Sequence, residues 1–179
     1  MRAEIIDRAT LHEGRVFTLV KENVRLENGV TVDLDIIRHP GAAAMVPFKD
    51  DRTLLLIRQY RHATDGFIWE IPAGTLDPDE TPLECAKREL VEEIGYSAAK
   101  WHKLGEITPV PGYSDERIHI FCAGNLSPAG QHLDRDEIIS VHQVPFDEAV
   151  KMAARGEIVD AKTISGLFMA DLWLKQTSL

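Results

Sequence analysis

The stretch Gly74 to Tyr96, GTLDPDETPLECAKRELVEEIGY, constrains this chain more than any other. Its middle is bounded as a helix. Thr81 stands as the N-cap, Pro82 takes the first helical position, and Glu84 completes a capping box. Leu83, Ala86, Leu90 and Ile94 recur at helical spacing, so they face a core. Gly95 is placed to end the helix in a left-handed conformation. Glu89, Glu92 and Glu93 stand at i, i+3 and i+4, which puts three carboxylates on one patch.

A solvated acidic face, partnered by Lys87 and Arg88, is the ordinary reading of such a run. The energetics argue for more. At about 4 Å and an effective dielectric near ~20, each like-charged pair repels by roughly 4 kcal/mol. Glu92 and Glu93 also occupy the last turn, where the helix dipole disfavours negative charge. A divalent cation would turn that repulsion into coordination. Hard oxygen ligands with no His in the stretch favour Mg²⁺, with Mn²⁺ as the alternative, over Zn²⁺.

The rest of the chain reads as one α+β domain with a small N-terminal β element. Residues 16–25 and 30–38 are β-rich, with the hairpin signal Asn28-Gly29 between them. His39-Pro40-Gly41 punctuates the chain there, giving a β element over 1–40 and a main domain over 41–179. Strands are expected at 43–48, 53–59, 69–71, 104–108, 118–123 and 138–144. Two loops are expected at 109–117 and 124–136, and two further helices at 146–155 and 163–175. The run Thr53-Leu54-Leu55-Leu56-Ile57 is continuously apolar, the mark of a strand covered on both faces.

Twenty basic residues against twenty-nine acidic ones give a net charge of −9, which disfavours binding to a nucleic-acid backbone. No apolar run approaches membrane-spanning length. The polar N-terminal segment is neither a secretory signal nor a transit peptide, so a cytoplasmic location is expected. Cys85 and Cys122 form no ligand spacing and are expected to be buried free thiols.

Gly74, five residues, Glu80, seven residues, then Arg88-Glu89-Leu90-Val91-Glu92-Glu93-Ile94-Gly95 resembles the Nudix box, G-x5-E-x7-R-E-U-x-E-E-x-G-U. Eight of its nine specified positions match, and Tyr96 departs at the last. The resemblance implies a Nudix fold, a mixed β-sheet between helices. It implies that Glu89, Glu92 and Glu93 hold metal together with the Ala73 carbonyl, with Glu92 and Glu93 central to catalysis. Glu80 and Arg88 would orient those carboxylates.

Other segments are similar to the ADP-ribose pyrophosphatase branch of that family. They are Ile57–Arg61, Glu70–Gly74, Val110-Pro111-Gly112-Tyr113-Ser114-Asp115-Glu116 and Asp160-Ala161-Lys162-Thr163. The branch implies Mg²⁺-dependent hydrolysis of a nucleotide sugar such as ADP-ribose, in a homodimer whose N-terminal element packs on the partner subunit. GDP-mannose, another sugar nucleotide or a dinucleotide is the alternative substrate. A non-catalytic nucleotide-sugar sensor is the alternative of another class, disfavoured by the intact carboxylates. Where the branch often reads D-E-D-E before the last strand, this chain has Asp134-Arg135-Asp136-Glu137. Glu137 and Glu116 are both candidates for the acid or base that handles the water proton.

Arg58 and Arg61 are candidates for phosphate or ribose contacts, and three-residue spacing on a strand sends them to opposite faces. Arg61 is favoured. Tyr60, Trp69 and Tyr113 are candidates to stack on a base, with Phe67 beside them.

Overall fold

The alternation of Ala42–Pro47 explains the architecture. In the computed structural model, which describes residues 3–177, this strand is buried along its whole length. Ala42, Ala44 and Val46 enter one apolar core, and Ala43 and Met45 enter another. Successive side chains of a strand point to opposite faces, so a strand without polar alternation needs cover on both. The neighbouring Thr53–Arg61 strand behaves alike: Leu54 and Leu56 lie in the first core, Leu55 and Ile57 in the second.

The elements run β1 (Glu4–Glu13), β2 (Thr18–Arg25), β3 (Thr31–Arg38), β4 (Ala42–Pro47), β5 (Thr53–Arg61), β6 (Gly66–Glu70), β7 (Ala73–Thr75), α1 (Pro82–Ile94), β8 (Tyr96–Ile107), β9 (Ile118–Pro128), β10 (Ile139–Pro145), α2 (Phe146–Ala154) and α3 (Ala161–Thr177). They divide into two compact units. One takes the chain up to Gly41 with Thr108–Arg117, and the other takes Ala42–Ile107 with Ile118 onward.

The first unit is the antiparallel sheet β1-β2-β3. Asn28-Gly29 turns the β2–β3 hairpin, with Gly29 at φ 81°. Strand β1, within the expected N-terminal β element, is exposed throughout. Glu22 is buried in β2 and takes Arg38 at 2.6 Å and Arg8 at 2.7 Å.

The second unit holds the sheet β7-β4-β9-β8, mixed because β4 and β9 run parallel, and the antiparallel sheet β10-β5-β6. Helix α1 supplies Cys85, Ala86, Leu90 and Ile94 to one core. Helices α2 and α3 supply Phe146, Ala149, Met152, Leu167 and Ala170 to the other. This is the expected α+β arrangement, a mixed sheet system between helices.

Strands β8 and β9 are longer than expected. Strand β8 begins directly after Gly95, and β9 continues to Pro128. The half-exposed SAAKWHK segment carries no clear period. Its strand character comes from pairing, Lys100 with Gly124 and Ala98 with Leu126. Among the described residues, no helix is long and apolar enough to cross a membrane.

Candidate active site

The carboxylate helix forms as its sequence dictates. Thr81 Oγ1 accepts the Glu84 N–H, and Glu84 Oε2 accepts the Thr81 N–H at 2.9 Å. Gly95 caps the other end at φ 73°. The last turn's carbonyls are also covered: His132 N–H donates to Glu92 O, and Gln131 Nε2 donates to Glu93 O at 2.6 Å.

Arg88 organises the patch. Its Nε and Nη2 each donate to a Glu80 oxygen at 2.9 Å, a two-pronged grip that suits the planar guanidinium. Nη1 donates to Glu89 at 2.6 Å and Glu92 at 2.9 Å, and Nη2 also reaches the Thr75 carbonyl at 3.1 Å. The Arg88 bond holds the Glu80 carboxyl below its ordinary range. Thr75 is a participant in this arrangement that the sequence did not signal.

Glu93 is only 1% exposed, and its Oε2 accepts the Ala73 N–H at 2.7 Å. Burial pushes its carboxyl well above the ordinary range. The charges of Glu89 and Glu137 add to this against the Ala73 hydrogen bond and Lys162. Burial likewise raises Glu89, opposed by Arg88 and reinforced by Glu92 and Glu137. Glu137 is therefore close enough for its charge to act on both helix carboxylates. Its own Oε2 accepts the Asp134 N–H at 3.0 Å.

Among the described residues, no three His, Cys, Asp or Glu side chains converge as a metal cage. Glu89 and Glu92 turn toward Arg88 instead. The donor set still fits a hard divalent cation. It is all oxygen, its most buried member carries a charge that burial penalises, and like charges crowd it.

On β5, Arg58 and Arg61 take opposite faces, as expected. Arg58 lies over the Phe67 and Trp69 rings, 5.9 Å from each centroid. Arg61 pairs with the buried Glu70, Nη2 to Oε2 at 2.7 Å, and the charges of Glu93 and Asp160 reach it. Tyr60 is exposed and meets Phe67 edge-on at 5.5 Å. Trp69 meets His142 edge-on at 4.8 Å and packs against the core of α2 and α3. Tyr113 and Glu116 belong to the first unit, where Tyr113 is exposed and Glu116 lies 4.0 Å from His39 Nδ1.

Sequence reasoning assigned no role to Glu70, Asp160, Lys162 or Thr163. Lys162 Nζ pairs with Glu70 at 2.9 Å and Asp160 at 3.1 Å. The signal was present in the Asp160–Thr163 segment, but nothing local linked it to a turn some ninety positions earlier (Ile71 and Thr163 are 92 apart).

A family model of the NUDIX domain matches residues 38–167. The chain belongs to the Nudix family. An ADP-ribose pyrophosphatase of Bacillus subtilis (strain 168) is 36% identical over 165 residues, covering 91% of this chain and 89% of that one. A GDP-mannose pyrophosphatase of Salmonella paratyphi B (strain ATCC BAA-1250 / SPB7) is 34% identical over 178 residues, covering 84% of this chain and 92% of that one. A solved structure described as an ADP compounds hydrolase superposes with a TM-score of 0.86 at 27% identity, covering 99% of this chain and 96% of that one.

Proposed function

We propose that this Nudix protein hydrolyses the diphosphate linkage of a nucleoside diphosphate sugar, with ADP-ribose as substrate and AMP and ribose 5-phosphate as products. The observation that carries this reading is Glu93, a fully buried carboxylate bonded to the Ala73 N–H and facing the charges of Glu89 and Glu137. Such a cluster suits Mg²⁺, or Mn²⁺, held by Glu89, Glu92, Glu93 and the Ala73 carbonyl. A cation there supplies charge neutralisation at the diphosphate oxygens and a more acidic attacking water.

The protein's own groups do the rest. Arg88 keeps the carboxylates oriented through Glu80. Glu137, whose charge reaches both Glu89 and Glu93, accepts the proton of the attacking water. Arg61 faces the phosphates, and Arg58, Tyr60 and Trp69 contribute to nucleoside and ribose recognition. The working form is a cytoplasmic homodimer in which the exposed β1 edge and its Ile5, Ile6 and Leu11 are covered by the second subunit.

The Salmonella relative supports GDP-mannose as the second reading. The test is turnover of ADP-ribose, GDP-mannose, NADH and a diadenosine polyphosphate, with Mg²⁺ and with EDTA. Mg²⁺-dependent AMP release from ADP-ribose, lost in Glu93→Gln, is expected. Preferred turnover of GDP-mannose would replace the substrate. Tight binding of ADP-ribose without turnover of any compound would make the protein a sensor.

A further inference from the structure

The chain crosses between two sheets at Ile71-Pro72, leaving β6 at Glu70 and entering β7 at Ala73. A crossing of this kind has backbone groups outside both ladders, and each needs a partner when buried. The Pro72 carbonyl accepts the Met45 N–H at 2.9 Å. The Ile71 N–H donates to Thr163 Oγ1 at 2.8 Å, within a wholly buried pair. Two residues after Ile71, the Ala73 N–H donates to Glu93.

Thr163 is itself held. Asp160 Oδ2 accepts from the Thr163 hydroxyl at 2.5 Å and from its N–H at 2.9 Å. With its proton given to Asp160, the hydroxyl oxygen presents a lone pair to the Ile71 N–H. Lys162 extends the same arrangement to Glu70, so that the buried Glu70 carboxylate lies between Lys162 and Arg61. Lys162 and Thr163, both held by Asp160, thus grip Glu70 and Ile71, successive residues of the segment that ends at the Ala73 peptide.

We infer that Asp160, Lys162 and Thr163, at the start of α3, are positioning residues that fix the Glu70–Ala73 crossing and thereby aim the Ala73 peptide group at Glu93. This inference rests on the proposed role of Glu93 and the Ala73 carbonyl as cation ligands. It adds that the set is aligned from a helix distant in sequence. Groups that orient metal ligands typically change metal affinity or activity by about ten- to a hundredfold when removed.

The experiment compares Thr163→Val, which keeps the branched shape and removes the hydroxyl, with Thr163→Ser, which restores it. Lys162→Met and Lys162→Arg form a second pair. Three readouts are taken on the full chain: Ala73 amide exchange in metal-free protein by NMR, Mn²⁺ affinity by paramagnetic resonance, and Mg²⁺-dependent turnover of ADP-ribose. Thr163→Val is expected to speed Ala73 exchange and weaken Mn²⁺ binding by about tenfold or more, with both recovered in Thr163→Ser. Wild-type exchange and affinity in folded Thr163→Val, or loss in Val that Ser fails to recover, overturns the proposal. Should Thr163→Val not fold, the Lys162 pair decides by the same criteria. Failure of the wild type to turn over any substrate would count against the proposed function, while the metal-free amide readout would still decide this inference.

Discussion

A Cβ on Gly74 would stand 1.8 Å from Glu89 Oε1 and 2.5 Å from Glu89 Cγ. The backbone of the β7 turn and the side chain of the helix therefore occupy adjoining space, with none left for a methyl group. Gly74→Ala is expected to swing Glu89 out of place rather than to unfold the protein, because the clash falls on a side chain. kcat/KM should drop about tenfold or more with Tm nearly unchanged. A fully active Gly74→Ala would show that Glu89 is not needed where it stands.

Arg88 reaches Glu80, Glu89, Glu92 and the Thr75 carbonyl at once. An ammonium group at the end of a flexible stem cannot span that set. Arg88→Lys keeps the charge, yet should lower kcat/KM by about ten- to a hundredfold and raise the Mg²⁺ concentration needed for half-maximal rate. An unchanged Mg²⁺ titration curve in Arg88→Lys would reduce its role to charge alone.

Glu22 gives a pH dependence whose sign follows from its surroundings. Burial pushes its carboxyl upward, but the hydrogen bonds and charges of Arg38 and Arg8 outweigh this and hold it below its ordinary range. A carboxyl with a lower value folded than unfolded stabilises above the unfolded value, and that contribution fades as pH falls through the folded one. Glu22→Ala should cost about 1 kcal/mol near neutral pH, because Arg8 and Arg38 are partly exposed and stay solvated without it. The gap from wild type should narrow on acidification below roughly pH 4. Thermal melts across pH check this, and a gap that stays constant into acid would refute it.

Cys85 and Cys122 are both buried, and burial pushes each thiol up to about 12. Thiolate is the reactive form, so a thiol reagent at about pH 8 should label neither in the native protein and both in denaturant. Rapid native labelling of either would mean that its element opens readily.

Much of this protein was legible in its sequence because the deciding interactions are local. The capping box of Thr81 and Glu84, the left-handed stop at Gly95 and the carboxylate spacing of Glu89, Glu92 and Glu93 all lie within one helix and its ends. The double-faced strand β5 was readable because an unbroken apolar run has few other solutions. Strand β8 was not, since a half-exposed segment becomes a strand by pairing with β9, and pairing is not encoded in its own period.

The sequence by itself determined where the carboxylate helix begins and ends and the spacing at which Glu89, Glu92 and Glu93 stand along it. The tertiary structure alone decided how far each carboxylate is buried, which cations reach it, and what it is aimed at. Glu93 and Glu92 are neighbours in the chain, yet one is 1% exposed against Ala73 while the other turns outward to Arg88. The difference lies in what packs against each face of α1, and packing joins residues that no local spacing connects.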